Sequence, residues 1–242
     1  LTLVIPCWCE SQRLPPFLQQ LADNIADQNL PVEIVVVDDG SPEKESRATA
    51  KAVALLAESH RNIRPMQSVD HHRGKGGAVY SGWENAANSS RWLAFVDADG
   101  AVPASAVMAG IEIALRETSN LPIIAANRYH QDPALPVHRS WLRQRTGGWF
   151  SSWARRQLDL DTIDSQCGFK LIPAAWWRQR QRRDMEDEGY AFDLELLLAA
   201  KRDGLKVRNL NISWSEIEGS SVGLHDGLEL IQTVKKLRGK KR

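Results

Sequence analysis

The chain has 242 residues and is 43% hydrophobic, which suits one large α/β domain with a full core better than two. Thirty-one Lys plus Arg against 30 Asp plus Glu leave a formal charge of +1, so no whole-molecule field marks a nucleic-acid binder and no nucleic-acid partner is expected. The cysteine count is 3, and Cys7 and Cys9 have no nearby Cys or His to complete a metal site, which favours a reducing, cytosolic setting.

The first half alternates β-rich runs with helical stretches. Leu3 to Ile5 reads as a strand, Pro15 to Ala26 as a helix, Val32 to Val37 as a strand, Glu43 to Glu58 as a helix and Ile63 to Ser68 as a strand. Gly74 to Asn88 reads as a Gly-led helix, Trp92 to Val96 as a buried strand, Pro103 to Arg116 as a helix and Pro122 to Ala126 as a further strand. Strands separated by helical lengths imply βαβ units and a mostly parallel sheet. Beyond it come an Arg- and Trp-rich stretch from His138 to Arg156, a turn-rich cluster from Asp164 to Lys170 and a helix at Phe192 to Arg202. A strand at Lys206 to Trp214 and a terminal helix at Leu224 to Leu237 close the chain. No apolar run reaches the roughly 20 residues of a spanning helix. Asp193 and Glu195 interrupt the best candidate, Ala191 to Ala200, so the chain reads as soluble or peripheral to a membrane.

In such sheets ligands bind where the loops converge at the carboxyl ends of the strands. Three polar clusters are expected there: Pro6 to Glu10, Asp38 to Ser41 and Asp97 to Gly100. Asp97 and Asp99 follow an apolar strand with one residue, Ala98, between them, and period-two alternation turns them to the same side. Such a pair can hold a hard divalent cation bound to phosphate oxygens, although an ordinary acidic turn reads the same way. Asp39 closes a second strand and can accept hydrogen bonds from a base or ribose; Ser41 beside it equally suits a helix cap. In Arg73-Gly74-Lys75-Gly76-Gly77 the glycines permit close backbone approach and the two cations can neutralise a diphosphate, with a flexible basic loop as the plainer reading. Arg128, just past a strand, is similarly ambiguous.

The stretch from His138 to Arg156 holds five arginines, four aromatics (Trp141, Trp149, Phe150 and Trp153) and no acid. It suits a membrane interface or a single-stranded nucleic acid, or a helix with its Trp residues in the core. Leu224, Leu228, Ile231, Val234 and Leu237 recur at helical spacing before a basic tail, Lys240, Lys241 and Arg242, as in an amphipathic helix on an anionic membrane or one packed on its own domain. Asp164 and Asp193 are candidate general bases, each with a cap or a structural ion pair as the competing use.

Taken in order, the segments Ile5-Pro6-Cys7-Trp8-Cys9-Glu10, Val37-Asp38-Asp39-Gly40-Ser41, Arg73-Gly74-Lys75-Gly76-Gly77-Ala78, Val96-Asp97-Ala98-Asp99-Gly100, Asp164-Ser165-Gln166-Cys167-Gly168-Phe169-Lys170 and Phe192-Asp193-Leu194-Glu195 resemble the family 2 glycosyltransferases. Within that family the likeness is to the branch that loads sugars onto dolichyl and polyprenyl phosphates. The resemblance implies an α/β GT-A fold with a mostly parallel central sheet flanked by helices. It also implies a nucleotide sugar donor of the UDP-glucose or GDP-mannose type, Mg²⁺ or Mn²⁺, inversion at the anomeric carbon, and a polyprenyl phosphate acceptor met at the cytoplasmic face of a membrane.

Carried over by position, Pro6, Glu10 and Asp39 bind base and ribose, Asp97 and Ala98 lie beside the nucleotide, and Asp99 ligates the metal. Lys75 and Arg128 face the donor's phosphates or sugar, and Asp164 is the base or an acceptor-site residue. Residues 1–126 then form the nucleotide-sugar half and 127–242 the acceptor half. Trp8 and Cys9 depart from the family's usual Tyr and Asn. Two rival classes stand beside this reading. One is a haloacid dehalogenase-type phosphatase on Asp97-Ala98-Asp99-Gly100, although Ala101 replaces its usual Thr or Ser and the motif lies far from the start. The other is a non-catalytic membrane-surface or nucleic-acid module.

Overall fold

Short runs of Val, Ile, Leu, Phe and Trp build the interior of one sheet whose two faces are both covered by helices. In the computed structural model of the chain, residues 1–138, 141–217 and 224–239 are described, apart from the side chains of 141–149 and 224–229. The first half contains β1 (Thr2–Cys7), α1 (Leu14–Asp27), β2 (Glu33–Asp38), α2 (Glu43–Ser59), β3 (Gln67–Ser68), α3 (Lys75–Glu84), β4 (Trp92–Val96), α4 (Ala104–Arg116) and β5 (Ile123–Asn127). The second contains β6 (Val137–His138), α5 (Trp141–Leu158), β7 (Phe169–Pro173), α6 (Ala174–Arg180), α7 (Phe192–Arg202), β8 (Val207–Asn211), β9 (Trp214–Ser215) and α8 (Leu224–Gly239).

Seven strands pair in the order β3-β2-β1-β4-β7-β5-β8, with β7 antiparallel to both its neighbours and the other pairings parallel. β6 and β9 make a separate parallel pair. Two strands of the second half, β7 and β8, thus complete the sheet begun by the first.

Period-two alternation divides the strands between two cores. Leu3, Ile5, Ile34, Val36, Ala94 and Val96 join the cluster with Leu18 and Leu21 of α1 and Val107 and Ile111 of α4. Val4, Val35, Val37, Leu93 and Phe95 join Tyr80 and Trp83 of α3 and Phe192 and Leu196 of α7 on the other side. Each such large apolar side chain contributes about 1.5–3 kcal/mol of burial. Helix α1 shows the local logic: Leu14, Phe17, Leu18, Leu21 and Ile25 recur every three or four residues on the buried face, and Pro occupies its first turn, where a missing N–H costs nothing.

The structure departs from the sequence expectation in four places. The strand expected at Ile63 to Ser68 shrinks to an isolated bridge of Ile63 with Ile34 and the two residues of β3, since Pro65 between them has no N–H to pair. The helix expected over Gly74 to Asn88 ends at Glu84, where the Asn85 amide donates back to the Ser81 carbonyl at 2.9 Å. Phe169 and Lys170, placed with the turn cluster, begin β7; a strand slotted between β4 and β5 is dictated by long-range pairing. The strand expected over Lys206 to Trp214 splits into β8, which pairs with β5, and β9, which pairs with β6.

The terminal helix forms as expected and, of its two expected uses, shows packing on its own domain. Leu230, Val234 and Leu237 of α8 are buried in the second core, so this part of its apolar stripe is covered by the protein itself. The side chains of Leu224 and Leu228, and Lys240, Lys241 and Arg242, lie outside the described residues. No helix among the described residues is long and apolar enough to cross a membrane.

Candidate active site

The parallel strands β1, β2, β4 and β5 end at one edge of the sheet and carry there Glu10, Asp39, Asp97 with Asp99, and Arg128. Because β7 runs antiparallel, its amino-terminal end arrives at the same edge, with Phe169 opposite Val96. The turn from Asp164 to Gly168 is thereby delivered onto the carboxyl end of β4. The Asp97 N–H donates to the Gly168 carbonyl at 2.9 Å. A Cβ at Gly168 would lie 1.8 Å from an Asp97 carboxylate oxygen, so only glycine leaves that carboxylate its place.

Asp97 is paired with the Lys75 ammonium at 2.6 Å. Lys75 also lies 4.0 Å from Asp193, and Asp193 in turn binds the Lys170 ammonium at 2.7 Å. Burial alone would lower the Lys75 pKa, but the charges of Asp97 and Asp193 outweigh it and hold it above the ordinary lysine range. Burial pushes the Asp193 carboxyl up, opposed by Lys170 and Lys75. Asp193, expected as a base, therefore sits in the core, locked between two ammonium groups and only 2% exposed.

Asp99 accepts a hydrogen bond from the Ala101 N–H at 3.0 Å, and burial and then the neighbouring charge of Asp97 raise its pKa. Glu10, gripped by Arg13 at 2.5 and 2.7 Å, is also raised, first by burial and further by Asp99 and Asp97. Ala98 puts its methyl group in the core, leaving only backbone to face a nucleotide. Pro6 lies within β1 opposite Val37 and is buried.

The second acidic strand end organises a loop. Asp39 accepts the N–H groups of Arg73 at 2.9 Å and Gly74 at 2.8 Å, and its carboxylate lies 2.9 Å from the His72 ring. Burial raises its pKa while these N–H donors oppose the rise. Trp8, 43% exposed, stands over His72 with ring centroids 4.9 Å apart.

The glycines of Arg73-Gly74-Lys75-Gly76-Gly77 permit the close backbone approach expected of them. They admit the segment before α7. The N–H groups of Gly76 and Gly77 donate to the carbonyls of Gly189 and Glu188, and a Cβ at Gly76 would meet the Cβ of Phe192 at 2.5 Å. Arg73 is held by Glu188, which Arg182 also pairs at 2.8 Å. Lys75 is the member of this motif that the fold turns toward the acidic strand ends.

At the far side of the site, Arg128 makes a two-pronged pair with Asp164, at 2.7 and 2.9 Å, and its backbone N–H donates to the same carboxylate at 3.1 Å. The guanidinium also lies 5.4 Å from the Trp214 ring centroid. Burial would raise the Asp164 pKa, but Arg128 outweighs it and holds the carboxyl below the usual carboxylate range. Asp164 is thus an ionised, fully occupied partner.

A divalent cation fits the strand end of β4. Asp97 and Asp99 are hard oxygen donors, and Asp99 and Glu10 both have pKa values raised in part by neighbouring carboxylates, a repulsion that a cation would relieve. Among the described residues no group of three His, Cys, Asp or Glu side chains is placed to hold a metal, so the remaining ligands would be oxygens of a bound diphosphate. Lys170 and Arg13 join the site through the fold rather than through any sequence motif role. The signal for Lys170 was a lone charge inside the apolar run Phe169 to Pro173.

Acidic strand ends at the sheet's carboxyl edge, with the largely buried Lys75 beside them, mark the class as a nucleotide-binding α/β enzyme. Comparison with known proteins narrows it. The glycosyl transferase family 2 pattern matches residues 2–172, and the chain belongs to that family. Similar proteins include a dolichyl-phosphate beta-glucosyltransferase of Trichomonas vaginalis, 30% identical over 91% of this chain and 67% of its own length. Those of Homo sapiens and Saccharomyces cerevisiae are 30% and 31% identical, over 92% and 93% of this chain and 69% of each relative.

Among solved structures, glucosyl-3-phosphoglycerate synthase of Mycobacterium tuberculosis, in complex with Mn²⁺, UDP and phosphoglyceric acid, superposes with a TM-score of 0.65 at 14% identity, covering 98% of this chain and 78% of that one. Mannosyl-3-phosphoglycerate synthase of Rubrobacter xylanophilus gives 0.66 at 15% identity, over 99% and 72%. The fold is the GT-A fold, as the sequence resemblance implied.

Proposed function

We propose that the chain transfers glucose from UDP-glucose to a polyprenyl phosphate of the dolichyl type, with inversion at the anomeric carbon. The observation that carries this reading is the likeness, at about 30% identity across nine-tenths of the chain, to proteins named dolichyl-phosphate beta-glucosyltransferase. The site chemistry supports it. Asp164 is engaged by Arg128 and Asp193 by Lys170 and Lys75, so neither is a free base. A phosphate acceptor is already ionised and needs none, whereas a sugar hydroxyl would.

In this mechanism Glu10 and Asp39, with Pro6 behind them, flank the base and ribose, and the backbone at Ala98 lies beside the nucleotide. Asp97 and Asp99 would hold Mg²⁺ or Mn²⁺, which would supply positive charge against the departing diphosphate. Lys75 lies next to those carboxylates and adds a cation on the same side, while Arg128, fixed by Asp164, offers its remaining edge to the donor sugar or the acceptor phosphate. Preorganised charge of this kind is usually the larger catalytic contribution. The acceptor's apolar chain stays in a bilayer, so the site would be used at a membrane surface, the cytoplasmic face in this reading. The exposed Arg155, Arg156, Lys235 and Arg238 are suitable contacts for anionic headgroups.

The test is release of nucleoside diphosphate from UDP-glucose, other UDP-sugars and GDP-mannose, with Mg²⁺ or Mn²⁺, with and without detergent-dispersed polyprenyl phosphate. Lipid-dependent UDP release with glucose entering the organic phase is the expected result. Turnover with GDP-mannose alone, or onto a soluble acceptor alone, would overturn the substrate assignment.

A further inference from the structure

Four side chains of alternating charge run from the core to the acidic strand end of β4: Lys170, Asp193, Lys75 and Asp97. Lys170 is fully buried in β7 between Phe95 and Ala125 of the neighbouring strands, and it donates to Asp193 at 2.7 Å and to the Cys167 carbonyl at 2.9 Å. Asp193 presents its other oxygen to Lys75 at 4.0 Å. Lys75, held against the rings of Phe95 and Phe192, reaches Asp97 at 2.6 Å.

Taking two such charges out of water is costly, and a well-packed apolar pair in the same space is often as stable or more so. The Lys170–Asp193 pair is therefore poorly explained as a stabilising device. What it does have is a direction, since it ends on Lys75, which touches the carboxylate proposed to meet the cation. We propose that Lys170 and Asp193 are positioning residues, which divide Lys75 between Asp193 and Asp97 and so set the orientation of Asp97 toward a bound cation–nucleotide. Asp193 is then no base, and Lys170 acts on the reaction without touching either substrate.

The geometry accounts for Gly168 as well. Gly168 gives the Asp97 carboxylate its space and its carbonyl accepts the Asp97 N–H, while Lys170, two residues on, anchors the same carboxylate through Asp193 and Lys75. Gly168 and Lys170 together cradle that one side chain. Partners behind a metal ligand typically matter by about 10- to 100-fold in metal affinity or activity.

The inference rests on the reading of Asp97 and Asp99 as the cation–nucleotide site, and the experiment separates the two. UDP binding is measured by calorimetry with and without Mn²⁺ for the wild-type chain, Asp193→Asn and the double variant Lys170→Met/Asp193→Leu, beside the melting temperature of each. The double variant removes both buried charges together and is expected to melt near the wild type; Asp193→Asn keeps the shape and an acceptor for Lys170 should the double variant fold poorly. The expected result is that both variants keep the metal-free UDP affinity and lose the Mn²⁺-dependent gain by about tenfold or more. A wild-type chain whose UDP binding ignores Mn²⁺ overturns the site reading and the inference with it. A wild-type gain that survives undiminished in a folded variant overturns the inference alone. So does an equal loss of affinity with and without Mn²⁺, which marks a merely structural pair.

Discussion

The Arg128 guanidinium and the Asp164 carboxylate meet face to face at the end of β5, with two side-chain hydrogen bonds of 2.7 and 2.9 Å and a third from the Arg128 backbone. Asp164 is completely buried and the Arg128 side chain is 16% exposed. The pair ties the turn that leads into β7 to the strand beside it.

Removing the carboxylate by Asp164→Ala strands a buried guanidinium, and a loss of about 3–5 kcal/mol is expected from a broken buried pair. Urea denaturation measures it. The pH dependence has a definite sign. Arg128 depresses the folded-state pKa of Asp164 below its unfolded value of about 3.9, so the pair's contribution is full above that value and fades as pH falls through the folded-state pKa. The stability difference between wild type and Asp164→Ala should be constant at neutral pH and narrow only in strong acid. A difference that narrowed between pH 6 and 5 would point to another group.

Asp99→Ala removes one of the two hard oxygen donors of the Asp97-Ala98-Asp99 strand end. Transfer should fall by about 100-fold or more, as for loss of a group that stabilises developing charge, with the circular dichroism spectrum and melting temperature little changed. Retained turnover in the folded variant would remove Asp99 from the metal site.

Gly168→Ala is expected to act on catalysis out of proportion to its size. Its Cβ would stand 1.8 Å from an Asp97 carboxylate oxygen, so that side chain must turn away. A displacement of about 1 Å in a positioned group can cost about 100-fold in rate. Steady-state kinetics with Mn²⁺ should show kcat falling far more than the melting temperature suggests.

Gly76→Ala tests which backbone the glycine motif admits. A methyl group there meets the Cβ of Phe192 at 2.5 Å and must push α3 from α7, an overpacking cost of about 1–3 kcal/mol. Were the glycine there to bare its backbone to phosphate, the same change would instead weaken UDP binding and leave stability alone. Calorimetry of unfolding and of UDP binding separates the two.

Local pattern alone determined much of this protein. The apolar runs at β1, β2 and β4, the three-to-four spacing of α1 and α4, and the acidic residues just past the strands were legible because each depends on neighbours within a few residues. Period-two and 3.6-residue alternation are properties of the chain itself. The same holds for the ordered motifs that resembled family 2 glycosyltransferases. What the tertiary structure decided were the partnerships across long sequence distances. β7 became a strand because β4 and β5 left a slot for it, and its antiparallel course carries Gly168 to Asp97. Arg128 found Asp164, 36 residues on, and Lys170 found Asp193, 23 residues on. The glycines beside Lys75 found a segment more than 100 residues away, as the Arg73–Glu188 pair at a separation of 115 records. A carboxylate looks the same in sequence whether it is a base, a metal ligand or one half of a buried ion pair. Only the burial and the charge brought beside it by the fold separate those roles, since desolvation and a partner's field act through space and not along the chain.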